Sequence, residues 1–306
     1  MIWPEGKQFA FTVFDDPDGQ SLETSERVYG FLLDMGFRTS KAIWPVGPLR
    51  EPNSRGDTCA SKPFRQHAIA LQRRGIEIAY HLAAPHSSTR EESIDALECF
   101  RDYFGAPPAS MANHYNREAL YWGPERLSGS ARAAYQIATF GRTSDRFKGH
   151  LQGDPHFWGD ICHAQIRYCR NFVFRDINTL GVCPQMPYHD PLRPWVNSWF
   201  ASTEGHQGPS FVSAIKEPAQ DRLEEEGGAC IMYTHFGHGF VEGGDLKPQF
   251  RELIHRLSRK NGWFVPVTTL LDYLQGLRKT RHVLSSSERN GLEWKWLRHK
   301  FAHGTS

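Results

Sequence analysis

Residues 8–16 read Gln8-Phe9-Ala10-Phe11-Thr12-Val13-Phe14-Asp15-Asp16, and the fold class is decided from this run. It is rich in Phe, Val and Thr and alternates in character, which predicts a strand; two carboxylates stand where that strand stops. Leu22 to Phe37 comes next, with Val28, Phe31, Leu32 and Met35 at helical spacing and Gly36 closing the turn. A short apolar strand is predicted over residues 41–46. Pro63 opens a helix that ends at Arg73, Arg74 and Gly75, as helix termini prefer. Residues 76–80 form a buried-type strand that runs directly into His81. Thr89 and Glu92 make a capping box ahead of Ile94, Leu97, Phe100 and Phe104. Further strands are expected over 109–112, 136–140, 171–174 and 229–236, with helical stretches between most of them. A helix over 248–259, a strand over 263–265 and a helix over 267–278 close the series. Strands alternating with helices argue for a parallel sheet, open or closed into a barrel.

The chain has 306 residues, enough for two ordinary domains or for one α/β barrel of roughly 250 residues with a tail. Apolar residues at 39% and charged residues at 23% describe a folded chain with a sizeable core, which excludes a disordered segment or a fibre. Thirty-six basic against 34 acidic residues leave a formal charge of +2, with no electrostatic footprint for duplex nucleic acid. No apolar run approaches the roughly 18 residues of a membrane span. The first residues lack the pattern of a secretory signal, so a cytoplasmic location is expected. The six cysteines (Cys59, Cys99, Cys162, Cys169, Cys183 and Cys230) show no close-pair metal spacing and read as reduced thiols. Fifteen histidines and nine tryptophans suit a site for a polar, ring-shaped ligand.

In folds of this type ligands bind outside the carboxyl ends of the strands. The polar residues that follow each predicted strand are therefore informative. The first ends at Asp15-Asp16, the third at His81 with His86 close behind, the fourth at Asn113-His114. The strand Cys230-Ile231-Met232-Tyr233 ends at Thr234-His235. One carboxylate with two imidazoles suits a divalent transition metal, and a neighbouring carboxylate suits a general base. Taken singly, each has a plainer reading: Asp15-Asp16-Pro17-Asp18-Gly19 is a good turn, and His81 suits a hydrogen-bonded core position. Recurrence at four strand ends favours a site.

These residues resemble the NodB-like polysaccharide deacetylases, carbohydrate esterase family four and its relatives. The first motif of that family, an Asp-Asp pair ending the first strand, is matched by Phe11-Thr12-Val13-Phe14-Asp15-Asp16. The two-histidine motif maps onto His81 and His86, and the late Leu-x-His motif onto Tyr233-Thr234-His235. The family's closing strand and helix are echoed by residues 263–274, and motif order covers roughly residues 8 to 279. The resemblance implies a distorted (β/α) barrel of about seven parallel strands over residues 1–280, followed by a helical tail over 281–306. It implies a divalent metal, zinc above all, held by Asp16, His81 and His86. Asp15 would be the base and His235 the acid protonating the departing amine. Two departures stand out. His81 and His86 are five residues apart with Pro85 between them, where the family spaces its pair by four. The family's Arg-Pro-x-Tyr motif is replaced by Asn113-His114-Tyr115-Asn116-Arg117, and either Arg117 or His114 could take over a role there.

The activity so implied is hydrolysis of an N-acetyl group, or a similar acyl group, on an amino sugar. A cytoplasmic setting favours a nucleotide-sugar, lipid-linked or precursor glycan substrate, with surface-polysaccharide or O-antigen biosynthesis as the setting. Two other readings remain open: a cyclic amide or imide hydrolase on the same scaffold, and a non-catalytic carbohydrate-binding protein. Residues 141–208 are rich in Gly, Pro, His, Trp and Asp and little periodic, which suits a substrate-binding insertion. Trp158, Trp195, Trp199, Tyr188, His189 and His206 lie in it; together with Asn113, His114, Tyr115 and Arg117 they are the candidate substrate contacts. In the tail, Trp294, Leu297 and Phe301 share one helical face among basic residues, which suits packing on the domain or peripheral contact with a membrane surface.

Overall fold

A computed structural model describes residues 3–142 and 145–306; residues 143 and 144, inside the expected insertion, lie outside the described residues. Seven parallel strands close on themselves: β1 (Phe9–Asp15), β2 (Ser40–Ile43), β3 (Glu77–Tyr80), β4 (Ser110–Met111), β5 (Tyr168–Phe174), β6 (Ser198–Glu204) and β7 (Ala229–Thr234). Each pairs in parallel with the next, and β7 returns to pair with β1 over six residues, Ala10↔Ala229 to Asp15↔Thr234. This is a closed (β/α) barrel with its helices outside. Both faces of each strand are covered, which is why β1 and β7 are buried along their whole length and read as near-continuous apolar runs. The barrel is distorted beside β1. One edge of that strand is shared, its start by Gly262–Trp263 and its last two residues by β2.

Local sequence explains most of the elements. The helix Leu22–Asp34 starts at Ser21, whose side chain accepts from the Thr24 N–H. The helix Arg90–Phe104 has the expected capping box and ends on Gly105 in the left-handed conformation. Two expectations are corrected. The strand expected over 136–140 is instead the end of the helix Gly129–Ala138, where Ala131 and Tyr135 turn inward. Strand β6 was not expected from sequence, and with β5 it places two barrel strands inside the long segment 141–208.

The tail forms the helix Ser286–His303, which opens on a capping box between Ser285 and Glu288. It packs back on the barrel through Leu292, Trp296 and Leu297, whereas Phe301 is 56% exposed. The Trp296 ring lies 5.3 Å from Phe172 and 5.9 Å from Tyr135. Glu293, also buried, accepts from the backbone N–H of Ser128 at 2.9 Å and from Arg193 at 3.2 Å, which ties the tail to the segment leading into Gly129–Ala138. No helix among the described residues is long and apolar enough to cross a membrane. The six cysteines are all free thiols.

Candidate active site

Strand register brings the functional side chains to one barrel mouth. Pairing of Asp15 with Thr234 sets Asp16 beside His235, and the Asp16 N–H donates to the Thr234 carbonyl at 2.8 Å. Pairing of Tyr80 with Met111 sets His81 level with Ala112, two residues before His114. The loops after β1 and β7 touch backbone to backbone. A Cβ on Gly237 would lie 2.3 Å from the Gly19 carbonyl carbon, and Gly19 itself is left-handed at φ +68°. Only glycine allows Asp18 and His235 to approach from these two loops.

Asp18, His81 and His114 converge: one ligand atom from each lies within 4.8 Å of the others. His114 Nε2 is 3.1 Å from Asp18 Oδ1, and His81 Nε2 is 3.5 Å from Asp18 Oδ2. The tautomer of His114 follows from its neighbour. Asn116 Nδ2 donates to the carbonyls of Ala84 and His86, so Asn116 Oδ1 is an acceptor, and the N–H facing it at 2.9 Å is His114 Nδ1. In a neutral ring, Nε2 then points a lone pair at a carboxylate. His81 is 1% exposed and neither of its nitrogens has a hydrogen-bond partner among the described residues. Lone pairs and carboxylate oxygens facing one another call for a cation or a proton between them. Burial works against charge on Asp18, yet the adjoining imidazoles of His114 and His81 hold its carboxyl well below the usual range. Burial lowers the His81 pKa despite Asp16 nearby, favouring the neutral, metal-binding form. His114 is drawn upward overall, because Asp18 outweighs burial. An Asp/His/His set with Nδ1 of one imidazole anchored on a second residue is the donor chemistry of a divalent transition-metal site.

Asp16 stands beside this cluster on another partner. Arg170, from β5, grips it with both arms, Nη1 to Oδ1 at 2.9 Å and Nη2 to Oδ2 at 2.5 Å, and both residues are buried. Its oxygens remain 3.7 Å from His81 Nδ1 and 4.0 Å from His235 Nε2. His235 donates Nδ1–H to the His206 carbonyl at 2.7 Å, which turns Nε2 toward the cavity, 3.6 Å from Asp18. Asp15 is sealed beneath the mouth. It accepts from the Phe236 N–H at 2.7 Å, from Tyr29 at 2.9 Å and from Lys41 at 3.2 Å, and it does not line the cavity. Burial pushes its carboxyl upward against the pull of Lys41.

The remaining sequence candidates divide. Asn113 and Tyr115 line the cavity with His114, although Asn113 spends its side-chain amide on the backbone of Leu120. His86 is not in the cluster; it is buried with Nε2 3.5 Å from Glu92. Arg117 is exposed outside the cavity. Trp158 and Trp199 are core side chains, 0% and 1% exposed, and His189 bonds the Asn197 carbonyl away from the mouth. Sequence reasoning missed several lining residues, among them Asp18, read as part of a turn, and Arg126, Arg170 and Lys300. Only Asp18 carried a signal, as a third carboxylate just after β1.

No family model and no curated protein sequence matches the chain. Solved structures do. A polysaccharide deacetylase candidate from Mycobacterium smegmatis superposes with a TM-score of 0.51 at 12% identity, over 93% of this chain and 96% of that one. PuuE allantoinase superposes with a TM-score of 0.50 at 12% identity, over 91% of this chain and 94% of that one. At such identities the likeness is one of fold: the chain has the NodB-like (β/α) barrel.

Proposed function

We propose that the chain is a metal-dependent hydrolase of a carbon–nitrogen amide bond, releasing an N-acetyl or similar acyl group from an amino sugar. The observation that carries this reading is the meeting of Asp18, His81 and His114 at the mouth of a NodB-like barrel, with Asp16 and His235 beside them. Asp18, His81 and His114 would hold a divalent ion, zinc being the best fit to two imidazoles and a carboxylate. Such an ion supplies Lewis acidity toward a water and toward the amide carbonyl oxygen.

The chain's own side chains supply the proton transfers. Asp16, fixed by the Arg170 fork, accepts the proton as water adds to the acyl carbon. His235, held through Nδ1 by the His206 carbonyl, presents Nε2 as the atom from which the departing nitrogen takes a proton. The carbon–nitrogen bond breaks, and the products are a free amine and the carboxylic acid. In this assignment Asp16 takes the base role that the family resemblance gives to Asp15, and Asp18 and His114 take ligand places that it gives to Asp16 and His86. Asp15 is a support: its bond from the Phe236 N–H ties β1 to the loop carrying His235.

A carbohydrate substrate is supported by the fold and by the aromatic walls of a cavity of about 320 Å³, within the range of a small-ligand site. A nucleotide-sugar or lipid-linked donor in the cytoplasm, and a place in surface-polysaccharide assembly, extend this reading. The deciding assay is release of acetate from N-acetylated amino sugars by the zinc-loaded protein. The reading fails if acetate is not released while a cyclic amide is opened.

A further inference from the structure

The cavity carries a cation that the hydrolytic chemistry does not use. Arg126 is 3% exposed and lines the cavity. Its guanidinium is clasped between two indoles, 3.5 Å from the Trp122 ring centroid and 4.9 Å from that of Trp296. Its Nε and Nη1 have no hydrogen-bond partner, and it forms no ion pair with any described residue. Burial, with repulsion from Arg170 added, pushes its pKa down to about 10. An unpaired buried guanidinium is costly, and aromatic faces offset only part of the desolvation.

Lys300, from the tail helix, lines the same cavity; its Nζ lies 5.4 Å from the Trp296 centroid, and burial draws its pKa down to about 8. Lining the cavity are Arg126, Arg170 and Lys300, the carboxylates of Asp16 and Asp18, and the last residue, Ser306; Lys300 Nζ donates to the Thr305 carbonyl at 2.7 Å, whereas Arg126 keeps Nε and Nη1 without a polar partner. Asp16 is already committed to Arg170.

We infer that Arg126 and Lys300 form a subsite for an anionic group, a carboxylate or a phosphate, carried by the substrate itself. Trp122 and Trp296 wall this subsite, and the scissile amide of the same molecule reaches Asp16 and His235. The tail helix thereby becomes part of substrate recognition, since it supplies Lys300 and Trp296. This inference rests on the reading of the cavity as an amide-hydrolase site.

The test compares three substrates with the zinc-loaded chain: N-acetylglucosamine, its 6-phosphate, and N-acetylmuramic acid, which carries a carboxylate. One or both anionic sugars are expected to exceed the neutral sugar in kcat/KM by about ten- to a hundredfold, the worth of a charge-assisted contact. Which of them does so separates phosphate from carboxylate. Arg126→Gln is expected to collapse that ratio toward one, and Arg126→Lys to restore part of it. Arg126→Gln lowering all three alike, or a wild type without preference, overturns the subsite. Binding of inorganic phosphate, followed by calorimetry, keeps the two readings apart. Phosphate bound by wild type and lost in Arg126→Gln and Lys300→Gln, with no amide cleaved, supports the subsite and sinks the hydrolase. Acetate release without any dependence on charge does the reverse.

Discussion

Asp15, Asp16 and Asp18 leave the first strand almost together and meet three different sets of partners. Lys41 and Tyr29 hold Asp15 below the mouth, Arg170 holds Asp16 at its side, and the two imidazoles hold Asp18 at its centre. The division of labour is testable one side chain at a time. Asp16→Asn is expected to retain zinc and to lose about 10²- to 10⁴-fold in kcat, the usual worth of a positioned base. Arg170→Lys, which keeps the charge and loses the fork, is expected to lower kcat more than it raises KM. Steady-state kinetics alongside metal analysis checks both. Glu118, which accepts from the Asn116 amide behind His114, offers a stability test. It is wholly buried, and burial raises its pKa to about 7 despite hydrogen bonds from the Ser88 N–H and Asn116. The unfolded chain binds that proton more weakly, with a pKa near 4.5, so the contribution is fully present in acid and is lost as pH rises toward 7. Between these values Glu118 is expected to lower unfolding stability by up to about 1.4 kcal/mol per pH unit. Glu118→Gln should flatten that slope in denaturant titrations; unchanged slopes in wild type and variant would refute the assignment.

Elements matter here through the loops they launch. The turn after β1 and the loop after β7 interlock at Gly19 and Gly237, where an added Cβ meets the His238 ring at 2.2 Å and the Gly19 backbone at 2.3 Å, respectively. The His238 ring can swing aside, although φ at Gly19 still penalises a side chain, whereas backbone at Gly237 cannot yield locally. Gly237→Ala is therefore expected to cost about 1–3 kcal/mol and to move His235 away from Asp18, lowering activity in the folded fraction. The tail helix stands on Trp296; Trp296→Ala is expected to cost about 3–5 kcal/mol in chemical denaturation and to open the cavity wall. Strands β1, β3 and β7 were legible because each is an apolar run that ends abruptly in Asp or His. Strand β6, Ser-Trp-Phe-Ala-Ser-Thr-Glu, mixes small polar residues with aromatics and lies buried on both faces, so it shows no clean alternation. The run Gln136-Ile137-Ala138-Thr139-Phe140 was too short for its β-branched residues to distinguish strand from helix.

At the scale of the whole molecule, closure of the barrel does what no local pattern reveals. His81, His114, Arg170 and His235 come from four strands, and which of them share a centre depends on register and on the turn at Pro17. The sequence therefore pointed to the mouth through Asp16, His81, His114 and His235, yet not to which carboxylate faces the imidazoles. Nor could it show that His86, five residues after His81, pairs with Glu92 outside the cluster. The same closure brings the tail helix over the cavity and makes Lys300 a neighbour of Arg126. The ligand set is the point on which all of this turns, and metal content decides it. After loading with zinc and exhaustive dialysis, wild type and His86→Ala are expected to retain about one equivalent, while Asp18→Asn, His81→Ala and His114→Ala fall well below it. Full retention by His114→Ala together with loss in His86→Ala would contradict the account.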